Sequence, residues 1–535
     1  MQTKNRIFFI VSIVLFAVCI GINAYSSIDY YSMYSTQFTN IDNQFLSARY
    51  LESQNGKGVF IAGDLGHNKG ELSMIVHEFS RRGYGIWIFD FPSQGLSKGT
   101  IPFMYKEPES RYLAEQFYSS IVAYTQLADM PKESIHMIGF GEGARAMLEA
   151  AALNDVRTAD MTLIGTDINL TEKVNFDFLS FTNDSDLEWV KSLSLHNPGM
   201  KIHLIASKID RASKINDNKE LMKKLTAAQS SGSNEETVNT VELTEFTLIP
   251  HNSLMSSSSV LSAVLKKIDP DNPDLSLLTR LRFPLEILTN VFFILSIYFA
   301  GTLIQRRDNP MTEPDRKKIS GLLKSKLYVH LPSLLTAALI AVGLYLLPIS
   351  FPYFRVFYIV LIAAYGFVML FMYKFTTFSN NLGANFTKKD SRTRLRWILL
   401  NSLIVLAALT AIGLSRGELF LSFIVKPVWF VILILLFIPL FYVDERERRL
   451  FSRDTKFCIK LMGLNYLIVL VLPFVCLAAG IFDSTFIVIS IAGCLAVTLS
   501  TEFITRPLGF SSSASAVLKS LVFVLLSFPE ISLFY

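Results

Sequence analysis

Cysteine is nearly absent: the 535 residues include four, Cys19, Cys458, Cys476 and Cys494. All lie in or beside apolar runs and none in the polar stretch, so neither a disulfide framework nor a zinc site is encoded there. Charge is scarce as well. Only 18% of residues are charged while 51% are hydrophobic, and the formal net charge is +5. The Lys and Arg gather between hydrophobic runs and form no single basic face, which argues against nucleic acid as a partner. The apolar runs hold almost no ionisable residue away from their ends, which counts against an ion-coupled pump. Glu286, Lys426 and Glu502 stand close enough to predicted interfaces to snorkel. No GxxxxGK[ST] loop occurs in the connections.

What the chain has in abundance is long apolar sequence. Residues 7–25 are long enough to cross a bilayer about 30 Å thick, and Lys4 and Arg6 precede them. This predicts a retained N-terminal anchor, residues 1–28, with a cytoplasmic N-terminus; a signal peptide is the competing reading, although Ile22-Asn23-Ala24 is a poor cleavage signature. Residues 29–283 are polar and alternate short apolar runs with amphipathic stretches, enough to bury a full core. Residues 284–535 carry apolar segments at 285–304, 327–347, 354–373, 397–414, 420–442, 461–480 and 485–503, with a shorter one at 514–528, an all-α transmembrane bundle of about seven or eight spans. Basic clusters at Arg306, Arg307, Arg316, Lys317 and Lys318, at 388–396 and at 446–460 fall on every second connection. The positive-inside rule places those loops in the cytoplasm and the 29–283 domain outside it, in agreement with Lys4 and Arg6. The expected location is the cell membrane.

Within the polar region, Gly58 to Gly63 reads as a buried strand, Asp64-Leu65-Gly66-His67 as a glycine-rich turn, and 71–82 as an amphipathic helix. A second strand, 84–90, ends in Asp90-Phe91-Pro92-Ser93-Gln94-Gly95-Leu96-Ser97. A helix with Leu113, Phe117, Ile121 and Tyr124 on one face then leads to a strand at 135–138. This alternation predicts a mostly parallel sheet with helices on both faces, an α/β class domain. Over residues 56–268 the pieces resemble the α/β-hydrolase family: the Gly63 to Gly66 turn is similar to its oxyanion-hole side, and 90–97 to its Asp-x-Pro-x-x-Gly-x-Ser segment. The nucleophile elbow, G-x-S-x-G, reads Gly139-Phe140-Gly141-Glu142-Gly143, with glycine at the serine position. Glycine has no side chain to attack a carbonyl, so Ser-His-Asp chemistry cannot run there. Glu142 is a poor substitute nucleophile, because that position presents its backbone N–H to the site. The resemblance assigns Asp210, in 202–211, as the acid and His251, in 247–253, as the base of a triad remnant, with Gly141 at the nucleophile position. It assigns Gly63, Asp64, Leu65 and Glu142 to substrate binding on the oxyanion side. The bland alternative is that Asp210 caps a helix and His251 is a loop residue. His67, His77, His136 and His203 read as structural.

Three further expectations stand beside these. Gly139-x-Gly141-x-x-Ala144 with Asp160 downstream fits a dinucleotide fingerprint weakly, since it follows the third strand rather than the first. The aromatic stretch 169–198 takes the place of a hydrolase lid and packs on the sheet, touches lipid or covers a pocket, with packing the more common case, and 226–240 reads as a mobile surface loop. The preferred function is a non-catalytic binding or assembly module without cofactor or metal, whose partners are a membrane lipid, an envelope component or a membrane protein. The alternatives are an active esterase, lipase or acyltransferase with an unusual nucleophile, similar in layout to membrane-bound deacylases, and a lipid or solute transporter gated by the outer domain.

Overall fold

A computed structural model of the chain describes residues 2–64, 67–92, 94–98, 109–156, 158–166, 168, 193–197, 199–210, 213–230, 240–249, 251, 254–305, 329–345, 354–375, 427–451, 495, 498–499, 501–505 and 512–531. They divide into two compact units, one of which is Gly21–Glu286.

That unit is built on eight strands: β1 (Tyr34–Thr39), β2 (Phe45–Leu51), β3 (Gly58–Ala62), β4 (Gly85–Phe89), β5 (Ile135–Phe140), β6 (Asp160–Ile164), β7 (Lys201–Ser207) and β8 (Thr240–Phe246). They form one sheet in the order β1-β2-β4-β3-β5-β6-β7-β8. Strands β3 to β8 are mutually parallel, and β2 runs antiparallel to both β1 and β4. The strands ending near Gly63, Asp90 and Gly139 are neighbours, as expected, so the sheet is mixed but mostly parallel.

The helices are α1 (Gln2–Ser26), α2 (Ile28–Ser32), α3 (Ser73–Ser80), α4 (Glu109–Ala128), α5 (Gly141–Leu153), α6 (Leu193–His196), α7 (Ile215–Ser230), α8 (Ser258–Ile268) and α9 (Leu277–Gln305). The central strands read as unbroken apolar runs because both faces of the sheet are covered. On one face Phe60, Trp87 and Phe89 pack with Phe117 and Tyr124 of α4; on the other Val59, Ile61, Ile86 and Ile88 pack with Phe79 of α3 and Val264 of α8. Full burial of each such side chain contributes roughly 1.5–3 kcal/mol.

Several elements differ from expectation. The helix predicted over 71–82 is a 3₁₀ turn, Lys69–Leu72, with a capping box from Asn68 and Glu71, followed by α3. The last strand is β8, ending at Phe246, whereas 247–249 lie beyond it, outside any strand. β8 lies at the sheet edge and its faces are only partly covered, so its sequence TVELTEF lacks the apolar run that marks a buried strand. The loop expected over 226–240 begins as the last turn of α7, which continues to Ser230.

Among the described residues one helix is long and apolar enough to cross a membrane, Lys4–Ser26, with shorter apolar helices at Leu331–Ile340, Val360–Met372 and Ser512–Leu525. The expected spans at 397–414 and 461–480, and most of 485–503, lie outside the described residues. In the helical unit, Lys519 is buried within the helix Ser512–Ile531 and bonds Glu445 at 2.8 Å and also Glu502. Glu502 was expected to snorkel to an interface; instead it is buried, because Lys519 supplies a compensating charge in the same interior. Lys426 and the side chain of Glu286 lie outside the described residues.

Candidate functional site

The site stands at the C-terminal edge of the sheet, where such folds place ligands. The chain leaves β5 and enters α5 through Gly141, whose φ is +52°, a left-handed conformation that costs a side-chain-bearing residue strain and glycine none. The turn is close-packed: a Cβ on Gly139 would meet the Ala144 backbone, and one on Gly143 would meet the Gly63 carbonyl. The glycines that mark the elbow in the sequence are there for backbone approach.

The nucleophile's place is not empty. A Cβ on Gly141 would collide with the carboxyl group of Asp64, which follows β3 by two residues. Asp64 Oδ1 accepts the Glu142 N–H at 2.9 Å, and Asp64 Oδ2 lies 3.0 Å from His251 Nε2. On the other side of the ring, His251 Nδ1 is 2.8 Å from Asp210 Oδ2, while Asp210 Oδ1 accepts the Ser213 N–H at 2.9 Å. The structure thus brings Asp64, Gly141, Glu142, Asp210 and His251 together, and the Glu142 N–H points into the site as expected. Gly63 contributes backbone against Gly143, and Leu65 lies outside the described residues. The His251 loop is pinned by the Ile249 N–H donating to Ser207 Oγ at 3.2 Å. Its ring packs over Gly165, at φ +57° after β6, where a Cβ would come within 3.3 Å. Sequence reasoning missed Gly165 and Ser207, and placed Asp64 beside a substrate rather than in the nucleophile's space; an acid directly after the Gly63 turn was the available signal.

A histidine between two carboxylate acceptors donates from both ring nitrogens, which makes it an imidazolium. Burial disfavours that charge, but hydrogen bonds and charges from Asp210 and Asp64 outweigh it and hold His251 well above the ordinary histidine range. Burial likewise raises Asp64, yet the hydrogen bond and charge of His251, the charge of His67 and the Glu142 N–H bring it below its ordinary value. Stability from His251 is therefore complete below about pH 6.5 and is lost as pH rises through its raised folded value. Stability from Asp64 is complete above about pH 3.9 and is lost as pH falls through its lowered folded value. In the full chain carrying ¹³Cε1-histidine, the His251 resonance is expected to remain that of an imidazolium at pH 7.5. Asp64→Asn should lower its midpoint by about one unit or more. A midpoint at or below about 6.5 in the native chain would remove the doubly paired description.

A neighbouring polar knot sets the loop that carries Asp64. Asp90 accepts the Lys69 N–H at 2.6 Å, the Lys69 ammonium at 2.5 Å and the Leu96 N–H at 3.1 Å. Lys69 also donates to Ser47 Oγ at 2.9 Å, and both charged side chains of the pair are fully buried. Ser97 Oγ donates to the Asp90 carbonyl at 2.7 Å.

Asp160 begins β6 and lies 2.8 Å from His136 at the opposite, N-terminal edge of the sheet. It cannot reach a nucleotide at Gly141, so the dinucleotide fingerprint fails. His67 pairs with Glu71 and His77 with Asp29, each at 2.6 Å. The stretch 169–198 lies largely outside the described residues. Among the described residues no group of three or more His, Cys, Asp and Glu is arranged to hold a metal ion.

No protein-family model matches the sequence, and no curated protein matches it. Solved structures similar to it include an esterase from Pyrococcus furiosus (17% identity, TM-score 0.35, covering 45% of this chain and 92% of that one). An α/β-hydrolase from Penicillium shares 12% identity at TM-score 0.35, covering 44% of this chain and 98% of the other. A thioesterase domain from the curacin biosynthetic pathway shares 10% at TM-score 0.32, covering 44% and 99%. What the Gly21–Glu286 unit itself shows is an α/β architecture on a mixed, mostly parallel sheet.

Proposed function

We propose that this chain is a multi-pass membrane protein that displays a non-catalytic α/β-hydrolase-like module on the extracytoplasmic side, where it serves binding or assembly. The observation that carries this reading is the Asp64 carboxylate in the space a serine side chain would take, joined to His251 Nε2 and to the Glu142 N–H. An ester carbonyl entering the site would meet a fixed anion where its own oxyanion must develop, so the backbone donor is already spent. The alternating basic loops and Lys4 and Arg6 support the topology. Purified full-length protein is expected to give no fluorophosphonate adduct and no ester hydrolysis above background. Robust hydrolysis abolished by His251→Ala would overturn the reading.

The short Asp64–His251 contact favours one second reading, in which Asp64 is itself the nucleophile. Its Oδ2 would form an ester with a substrate carbon while His251 Nε2–H protonates the leaving group. Neutral His251 would then take a proton from water attacking the Asp64 carbonyl carbon, whose oxygen stays on the Glu142 N–H; the Cγ–Oδ2 bond breaks, and the alcohol leaves with the proton of the added hydroxyl, restoring the carboxylate and the imidazolium. Turnover in H₂¹⁸O would place label in the Asp64 carboxylate under this reading and none there under the first.

A further inference from the structure

The direction in which the α/β unit's two ends leave it bears on what the site meets. Helix α3 links the C-terminal end of β3 to the N-terminal end of the parallel strand β4, so it runs from the site edge of the sheet toward the opposite edge. The segment entering α9 runs back along it. Arg82, just after α3, donates to the carbonyls of Asn272 and Asp274 at 3.0 and 2.8 Å. Glu78, fully buried, accepts the Ser276 N–H at 3.0 Å and also the Thr279 hydroxyl, and Arg282 donates to Ser73 Oγ, at the start of α3, at 2.8 Å. Between residues 272 and 282 the chain has therefore climbed from the far edge to the site edge. The end of α1 follows the same line in reverse: Ser26 Oγ lies 3.4 Å from Arg282, and Asp29 meets His77 farther down α3. Ser26 and Arg282, near the two ends of the Gly21–Glu286 unit, thus both lie on the side of Asp64, Asp210 and His251.

That edge also carries exposed apolar side chains. Ile209 adjoins Asp210 and is 45% exposed, and Leu248, in the loop after β8, is 77% exposed. Ile41 and Phe45 stand at the β1–β2 hairpin tip, beyond the last pairing of β2 with β4, and are each 53% exposed. Apolar surface of this kind rimming a site, on the side of the unit's two chain ends, matches an interfacial environment.

We propose that the sheet edge bearing Asp64, Asp210 and His251 faces the bilayer, and that the ligand of this site is an amphiphile delivered from the membrane rather than from solution. This deepens the reading above and rests on its membrane assignment. The test uses the full chain in phosphatidylcholine vesicles, with a benzophenone amino acid replacing Val14 in α1, Leu248 at the site edge, or Leu153 at the end of α5 on the opposite edge. Adducts with radiolabelled phospholipid are expected at positions 14 and 248 and not at 153. An adduct at 14 without one at 248, or equal adducts at 248 and 153, overturns the proposal while leaving the membrane assignment intact. Loss of the adduct at 14 overturns the membrane assignment and this proposal with it. In a second arm, phosphatidylcholine bearing an acyl-chain diazirine is expected to label the segment 245–256 of the native chain, and a water-soluble short-chain analogue at equal concentration is not. Equal labelling by both overturns delivery from the bilayer.

Discussion

Gly141→Ser alone is expected to remain unlabelled by fluorophosphonate, whereas the double variant Asp64→Gly/Gly141→Ser gains labelling. The new Cβ in the single variant runs into the Asp64 carboxyl, and the position holds φ at +52°. Overpacking costs about 1–3 kcal/mol. The left-handed backbone adds about 1–3 kcal/mol. The single variant should therefore be less stable than the native chain and its hydroxyl displaced. Removing Asp64 frees the space, the Glu142 N–H and His251 Nε2 at once, and leaves His251 paired only to Asp210, as a neutral base requires. Loss of a triad nucleophile costs about 10⁶-fold in rate, so recovery of even about 10³-fold in labelling rate is measurable. The two changes touch the same atoms and should be strongly non-additive in stability as well. Labelling of the single variant as fast as the double would show that Asp64 does not block the position.

Lys69→Met is expected to cost about 3–5 kcal/mol, because it removes the ammonium that pairs with the buried Asp90 carboxylate. Both members of the pair are fully buried, and Asp90 ties Lys69 to the turn at Leu96. A loss of that size is a large part of the 5–15 kcal/mol typical of a domain. Guanidinium denaturation of the full chain in detergent, followed by limited proteolysis of the α/β unit, reads it. Asp90→Asn in the Lys69→Met background should recover part of the loss, since it removes the charge that Lys69 had compensated and keeps an acceptor for a backbone N–H. A cost under about 1 kcal/mol for Lys69→Met would mean the pair adds little beyond a solvated contact.

Those parts of this protein that depend on local pattern can be read along the chain. The apolar runs at Val59 to Ala62, Ile86 to Phe89 and Ile135 to Ile138 mark strands buried on both faces, and Gly139, Gly141 and Gly143 mark a turn with no room for Cβ atoms. The order of elbow, acid and base made Gly141, Asp210 and His251 legible as one group before any coordinates. β1, β2 and β8 were not legible, because strands at or near an edge are only partly covered and their periodicity is correspondingly mixed. Long-range contacts, spanning 78 residues to Glu142 and 187 to His251, put Asp64 in the nucleophile's space. They likewise bury Glu502 beside Lys519, where the sequence had suggested that Glu502 reaches an interface. A charge's partner is set by which elements pack together, and no local period along the chain records that.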